Sequence, residues 1–246
     1  ARISASDLML RAFFRFSNLG TGKLSLGLGR RNAAFREDAL RRTQSQDAAF
    51  LSGEWDNFDR HTMPRDGLLL RARFGLGRAH AGLLPAASFQ QSYFRARGLK
   101  SIGEHLGFDL DTEWGQGRHL PLDRWWVLGG PSFVIGSRSL GFMAPNFAAL
   151  RFGVPLRLYM GLGLTVELTP RYDLAWVAQE APDLLKPEVD FRAQGTGLML
   201  RTTLSNFYVE LSYGFLKVRT PQDGGRAVGS FNVLIGTQPF DLWKRH

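Results

Sequence analysis

The sequence has no cysteine, only five lysines and no long uninterrupted apolar run. Without cysteine it can form neither disulfides nor thiolate metal sites, although this absence identifies no compartment. No apolar run approaches the roughly 18 residues of a membrane-spanning helix, which excludes a helical membrane protein. The formal net charge is +9, but the arginines that carry it are scattered rather than clustered, so nucleic-acid binding is not expected.

Motifs for catalysis are also scarce. There is no Gly-x-Ser-x-Gly segment, which would indicate a hydrolase nucleophile. The histidines at positions 61, 80, 105, 119 and 246 have no metal-ligand spacing, and no cofactor is implied. A hydrolase assembled from Ser, His and Asp on separate strands would most readily use His105, but a lone histidine is more often structural.

Alternation of apolar and polar residues is the main pattern that is present. From Leu162 to Trp176 every second residue is apolar or aromatic, and the residues between include Glu167, Arg171 and Asp173. A period of two places the two sets on opposite faces of one strand. A strand that crosses a bilayer needs roughly 9–11 residues. The pattern therefore favours a membrane strand with lipid on one side and a polar lumen on the other.

The same alternation predicts eleven strands. They cover residues 5–18, 23–34, 48–58, 67–78, 88–99, 105–115, 146–159, 162–177, 195–204, 207–217 and 229–240. The phase of 88–99 is ambiguous because polar residues occur on both of its faces. A tight turn is expected at Met160-Gly161 and a two-residue hairpin at Ser205-Asn206.

The predicted connections alternate in length. Long loops are expected at 35–47, 79–86, 116–144, 178–192 and 218–228, with shorter turns between them. Short periplasmic turns and long outer loops are typical of outer-membrane barrels. The fold predicted is one all-β domain over 1–246, an antiparallel transmembrane β-barrel with 11–12 strands recognisable. Because bacterial barrels usually have an even strand number, we expect either a further strand within 124–136 or the C-terminal part of a larger barrel.

Charged residues recur on the faces predicted to point inward. An arginine in a lumen needs carboxylate partners because an unpaired buried charge is costly. The predicted lumen charge network comprises Glu54, Asp56, Arg71, Arg73, Asp109, Asp111, Arg151, Arg157, Glu167 and Arg171. These carboxylates either pair with Arg138 in the predicted loop 116–144 or only brace the lumen through the strand arginines. Six aromatic residues are candidate interface anchors or ordinary core residues: Trp114, Trp125, Trp126, Tyr172, Trp176 and Trp243.

Three stretches resemble the bacterial surface antigen superfamily of outer-membrane barrels. They are EWDNFDRHTMPRDGLLLRARFG (54–75), WWVLGGPSFVIGSRSLG (125–141) and VLIGTQPF (233–240). The second resembles the superfamily's lid loop, and the third resembles the last strand of barrels that follow patatin-like phospholipase domains. The resemblance covers roughly 48–240.

The resemblance implies a barrel of about sixteen strands in the bacterial outer membrane, with the lid loop (about 116–144) folded into the lumen. Carried over, Gly129 and Gly130 shape the start of the lid, Gly136 its tip, and Arg138 is the tip cation. The tip reads Gly136-Ser137-Arg138 and lacks the family's aromatic residue.

We expect a barrel that anchors and translocates an N-terminal passenger, such as a patatin-like lipase. The barrel itself is not expected to be an enzyme. Outer-membrane lipids, lipopolysaccharide and a second copy of the chain are further candidate partners. Two alternatives stay open: a soluble lipid-binding barrel, which requires apolar residues inside, and an outer-membrane lipid-modifying enzyme.

Overall fold

The computed structural model describes residues 2–16, 20–37, 40–59, 64–81, 87–121, 124–130, 132–137, 142–178, 191–204, 207–220 and 223–236. These residues form fourteen strands: β1 (Arg2–Phe16), β2 (Gly20–Glu37), β3 (Leu40–Asp56), β4 (Gly67–Ala81), β5 (Ala87–Ile102), β6 (Leu106–Arg118), β7 (Trp126–Leu128), β8 (Phe142–Ala144), β9 (Asn146–Gly153), β10 (Leu156–Gly161), β11 (Leu164–Ala178), β12 (Phe191–Leu204), β13 (Phe207–Thr220) and β14 (Asp223–Gly236). Within the described ranges, no helix is long and apolar enough to cross a membrane.

Twelve of the strands form one antiparallel sheet in which almost every strand pairs with its neighbour in sequence. The exception is at the lid loop, where β6 pairs with β9 and β10, and both of these pair with β11. β9 and β10 both lie between β6 and β11, where the sequence predicted the single strand 146–159. The twelve strands of the sheet therefore correspond to the eleven predicted ones, and that prediction is confirmed. The expectation of a further barrel strand within 124–136 is wrong, since β7 pairs with β8 in a separate two-stranded sheet.

Proline divides the predicted strand 146–159 into β9 and β10. Pro155 has no backbone N–H to contribute to a ladder. The flanking residues still find partners, because the N–H of Val154 donates to the Pro170 carbonyl at 3.0 Å and the Pro155 carbonyl accepts from Gly107 at 2.9 Å. The register with β11 then shifts between Arg157 and Tyr159, which indicates a bulge.

Several strands are longer than their sequence pattern predicted. The predicted loop 35–47 is wrong, because pairing continues until Glu37 lies opposite Leu40. The predicted loop 218–228 is also wrong, with Thr220 paired to Asp223. Main-chain hydrogen bonds alone extend these two hairpins, and they do not require apolar side chains on one face. The extended segments therefore show no alternation of apolar and polar residues. The tight turn lies at Leu162-Gly163 rather than Met160-Gly161, and both residues have positive φ (52° and 76°), as the commonest two-residue hairpins require.

The two faces of the sheet differ sharply in chemistry. One, called here the outer face, exposes large apolar residues such as Leu26, Phe74, Leu110 and Phe231, with Phe74 45% and Leu110 51% exposed. The opposite side, called here the inner face, buries charged residues, including Arg151 at 3% exposure. This arrangement inverts the pattern of a water-soluble sheet. The burial pattern also settles the ambiguous phase of β5. Its odd-numbered residues from Phe89 to Leu99 lie on the inner face.

The connection between β3 and β4 is held by two aspartates. Asp59 Oδ1 accepts the backbone N–H groups of Arg65 (2.8 Å) and Asp66 (3.2 Å). Asp66 Oδ1 in turn accepts the N–H of Ser101 and pairs with the Lys100 ammonium, each at 3.1 Å. These contacts join the β3–β4 connection to the end of β5.

Acidification is expected to loosen this connection. The Ser101 N–H, and then Lys100, favour the ionised carboxylate, so the pKa of Asp66 lies below its ordinary value. A lowered folded-state pKa stabilises the fold above the unfolded pKa, and this contribution is lost as pH falls through the folded value. Hydrogen exchange at the Ser101 amide, corrected for intrinsic rates, should therefore lose protection below about pH 4. Asp66→Asn should remove the pH-dependent step; protection unchanged to about pH 2 would contradict the assignment.

The pairing of β6 with β9 can be tested by cross-linking, since the natural chain has no cysteine. Thr112 lies directly opposite Leu150 in this register. Thr112→Cys with Leu150→Cys should form a disulfide under mild oxidation, detected as a mobility shift on non-reducing gels. Thr112→Cys with Ala148→Cys is the matched control, because diagonal partners lie about 7–8 Å apart. Equal cross-linking of both pairs would mean that the register is wrong.

Candidate functional site: the inner face and the lid loop

A buried carboxylate, Asp111, is the centre of the charge network on the inner face. Arg95 on β5 binds it through two hydrogen bonds, Nε to Oδ1 at 3.0 Å and Nη2 to Oδ2 at 2.6 Å. Arg151 on β9 donates Nη1 to Oδ2 at 3.1 Å. Paired geometry of this kind is the strong form of the arginine–carboxylate contact. Asp111 therefore links three adjacent strands across the point where the lid loop leaves and rejoins the sheet.

Further ion pairs extend this network towards the N-terminal strands. Arg97 binds Asp109 through two hydrogen bonds, of 3.0 and 2.6 Å. Glu113 accepts hydrogen bonds from Arg151 and from the Tyr93 hydroxyl. On β3 and β4, Arg71 pairs with Glu54 at 3.0 Å. Each of these contacts crosses between neighbouring strands, so the charges balance locally.

A second group of charges lies on β10 to β13. Glu167 lies 3.7 Å from Arg157 and 3.9 Å from Arg201. Arg201 also pairs with Glu210 at 2.8 Å. Arg157 donates to the Ser101 hydroxyl at 3.1 Å, which connects this group to the end of β5. The two groups together cover the inner face from β3 to β13.

The lid loop turns sharply at its predicted glycine pair. Gly129 and Gly130 have φ of 154° and 73°, and the Gly130 value is one that L side chains rarely adopt. The Gly130 carbonyl accepts the N–H groups of Phe133 (3.0 Å) and Val134 (3.2 Å). It also accepts the Ser137 hydroxyl at 2.8 Å. One carbonyl thus closes the segment into a compact loop with its tip at Ile135-Gly136.

Two polar contacts hold the tip of the lid against the sheet. The N–H of Ile135 donates to Asp173 Oδ2 on β11 at 2.7 Å. Arg151 Nε donates to the Phe133 carbonyl at 3.2 Å. Asp173 is fully buried and also pairs with Arg171 at 2.8 Å. Main-chain groups of the lid therefore bind the same residues that build the charge network.

Glycines in the wall form a depression that receives the tip. A Cβ added at Gly195 would lie 2.4 Å from the Ile135 carbonyl oxygen. At Gly197 and Gly214 it would lie 2.9 Å from side-chain carbons of Ile135. These distances are shorter than side chains tolerate, so only glycine allows the tip to approach this closely. Gly136 itself, with φ of 86°, lies against the β13 backbone.

Apolar packing completes the contact. Phe133 and Val134 of the lid are buried with Phe147, Ala175 and Leu216 of the wall. Trp126 of β7 packs on Phe147 and on Tyr93, with ring centroids 5.6 and 5.4 Å apart. Of the two interpretations of Trp126, these contacts support the core aromatic and not the interface anchor, because the ring lies between the lid and the wall.

The start of the lid is anchored elsewhere on the inner face. Arg124 Nε donates to the fully buried Gln46 side chain at 2.8 Å. Its guanidinium lies 5.2 Å from the Phe50 ring and 5.7 Å from the Phe89 ring, distances typical of cation–π contacts. The lid consequently spans the inner face, with its start on β3 and β5 and its tip on β9 to β13.

The residues of the predicted network have different positions. Asp109, Asp111, Arg151, Arg157, Glu167, Arg171, Arg71 and Glu54 all take part in the ion pairs described above. Arg73 lies 4.3 Å from the Phe50 ring, and Asp56 accepts the Phe58 N–H at 2.9 Å. Gly129, Gly130 and Gly136 lie at the lid turns. Arg138 and Trp243 lie outside the described residues, so the proposed lid cation stays a prediction.

Several participants were missed from the sequence. Arg95 and Arg97 were missed because the phase of β5 was ambiguous, and Glu113, Asp173, Arg201 and Glu210 were not singled out. A usable signal was present on β12 and β13. Glycines occur at alternate positions of β12, Gly195 and Gly197, and Gly197 lies opposite Gly214 of β13. Such a group of glycines marks a place where another backbone approaches closely.

Catalysis or metal binding would need particular arrangements among the described residues, a reactive histidine for the first and a group of metal ligands for the second. His105 is exposed, and its Nδ1 donates to the Arg157 carbonyl at 3.0 Å, a structural contact. In the part of the chain that the structure describes, no group of three His, Asp or Glu side chains is arranged to hold a metal ion.

Comparison with known proteins identifies a similar fold. No family model matches the sequence, and no curated protein matches it. Among solved structures, CdiB from Acinetobacter baumannii is similar over 95% of this chain, with a TM-score of 0.60 and 14% sequence identity. This chain covers 42% of CdiB, less than half of its length. The likeness shows the fold, which is of the barrel type predicted from the sequence; the surface antigen resemblance and the patatin link stay predictions.

Removal of the central carboxylate should be strongly destabilising. Asp111→Ala leaves Arg95 and Arg151 buried with too few partners, and breaking a buried ion pair typically costs about 3–5 kcal/mol. Asp47→Ala is the matched control, because Asp47 pairs with Arg30 at an exposed position, where such pairs contribute at most about 1 kcal/mol. Urea unfolding of both variants in the same micelles measures the difference. Equal losses would contradict the central role of Asp111.

Proposed function

We propose that this chain is part of a bacterial outer-membrane β-barrel that anchors and translocates a passenger protein, with its lumen gated by the lid loop. The observation that carries the proposal is the inverted sheet, apolar outside and charged inside, with a loop docked on the charged side. A lipid-facing surface must be apolar and a water-filled lumen polar. The resemblance to barrels that insert or export proteins favours a protein as the passenger.

The partners follow from the same two faces. Outer-membrane lipids, including lipopolysaccharide, would contact the outer face, where Trp114, Tyr172 and Trp176 are exposed and suit an interfacial position. The passenger would lie N-terminal to the barrel and could be a patatin-like lipase. A second copy of the chain is a further candidate partner at the outer face. In this proposal the barrel itself has no catalytic role.

The two alternative functions are less compatible with the geometry. A soluble lipid carrier needs apolar residues inside, whereas the inner face buries Arg95, Asp111 and Arg151. An outer-membrane enzyme would depend on His105, whose imidazole contacts a main-chain carbonyl. Purification without detergent as a stable monomer would favour the carrier. Lipid hydrolysis that is lost in His105→Ala would favour the enzyme.

Gating by the lid predicts a change in conductance. In planar bilayers, deletion of residues 125–140 from the full-length protein should raise single-channel conductance, because the segment that covers the inner face is removed. Gly195→Ala should act in the same direction, since its added methyl group meets the Ile135 carbonyl at 2.4 Å and displaces the tip.

Gly229→Ala supplies the matched control for this experiment. It makes the same chemical change on a strand, but its added methyl group meets the nearest atoms at 3.5 Å, an ordinary contact. Its conductance should equal that of the natural protein. Unchanged conductance after the deletion would remove the gating role from the lid.

A further inference from the structure

The outer face contains a trough along β5, at the end of the sheet where the shorter turns lie. β5 directs Ala96, Gly98 and Lys100 outward, so a lysine follows two small residues. Its neighbours present larger side chains: Leu68 lies opposite Gly98 on β4, and Leu110 lies opposite it on β6. The resulting open depression has a volume of ≈ 280 Å³. It is lined by the outward residues Gly98, Lys100, Phe108 and Leu110, together with Gly67 and Leu99.

Gly98 creates this trough by lacking a side chain. A Cβ added there would have only the Leu68 Cδ1 atom within 4 Å, at 3.9 Å. The space above Gly98 is therefore open, unlike the space above the lid-contacting glycines. A cavity of this size is smaller than the roughly 300–1,000 Å³ of pockets for drug-sized ligands. Its small volume and mostly apolar lining favour one aliphatic chain over a larger ligand.

Charged groups lie at the turn end of the trough. The Lys100 side chain is 79% exposed and pairs with Asp66 at 3.1 Å. One cation therefore lies where the apolar strand surface ends, at the level expected for lipid headgroups.

We infer that this trough binds one phospholipid, with an acyl chain over Gly98 and the headgroup phosphate on Lys100. The inference rests on the proposed membrane location. Long loops are extracellular and short turns periplasmic in outer-membrane barrels. The two longest connections, after β6 and after β11, lie at the opposite end of the sheet, so the phospholipid belongs to the periplasmic leaflet. An ammonium is a suitable phosphate partner, acting as a mobile point charge. The exposed Lys100 side chain can bind a phosphate in place of Asp66, which keeps its hydrogen bond from the Ser101 N–H.

Native mass spectrometry of the full-length protein in mixed micelles tests this site. The probes are phosphatidylethanolamine, phosphatidylglycerol and diacylglycerol, the last of which has the chains but no phosphate. The natural protein should retain one molecule of either phospholipid, at least about tenfold more than diacylglycerol. Gly98→Leu should lower phospholipid retention about tenfold by filling the trough. Lys100→Gln should reduce it to the diacylglycerol level, and Lys100→Arg should restore it.

Gly53→Leu is the matched control, since Gly53 also lies on the outer face and an added Cβ there meets no described atom within 4 Å. It should retain phospholipid as the natural protein does. Circular dichroism checks folding; if Gly98→Leu does not fold, Ala96→Leu fills the same trough. Retention unchanged in the filled variant, or equally reduced in Gly53→Leu, overturns the site.

Two further outcomes separate the sources of failure. Displacement of the phospholipid by inorganic phosphate alone would show a simple phosphate site and overturn the acyl-chain part. A natural protein that stays in solution without detergent and retains no lipid would contradict the membrane location as well. A membrane-inserted protein with unaltered retention in Gly98→Leu would overturn only the trough.

Discussion

Neutralisation of buried charge is the constraint on which this structure depends. The inner face concentrates arginines and carboxylates, and an ion removed from water without a partner costs several kcal/mol. Most pairs here join neighbouring strands, as in Arg95 to Asp111, Arg97 to Asp109 and Arg201 to Glu210. The network therefore reports on correct pairing, since a one-residue slip would move every charge to the apolar side. Register and charge balance are two aspects of one requirement.

The lid loop belongs to the same electrostatic system. Its main-chain groups contact Asp173 and Arg151, which also pair with other charges. Shape supplies the remaining contact, because Gly195, Gly197 and Gly214 leave room for the tip. The side chains of Phe133 and Val134 complete the docked tip by packing against the wall.

The sequence predicts the strands and their faces well, because an apolar side must alternate with a polar one. The eleven strand positions and the inward charges of β4, β6, β9 and β11 follow from that rule. The rule fails where pairing continues past the alternating segment, as at 35–47, since hydrogen bonding alone continues the hairpin. It also fails on β5, where Gln90, Gln91 and Arg95 obscure the phase. The lid contacts were missed because backbone groups and absent side chains leave no periodic pattern.

The path of the lid has a consequence for assembly. The segment leaves the sheet from β6 and returns at β9, and these two strands are direct neighbours. The lid loop can therefore dock on the inner face after the strands have paired, and it need not pass between other strands to do so. Since nearly all other pairings join consecutive strands, the ribbon can grow stepwise from many starting hairpins. The pairing of β6 with β9 joins residues that are farther apart in sequence than those of the hairpins. It is therefore expected to form more slowly than the hairpins do.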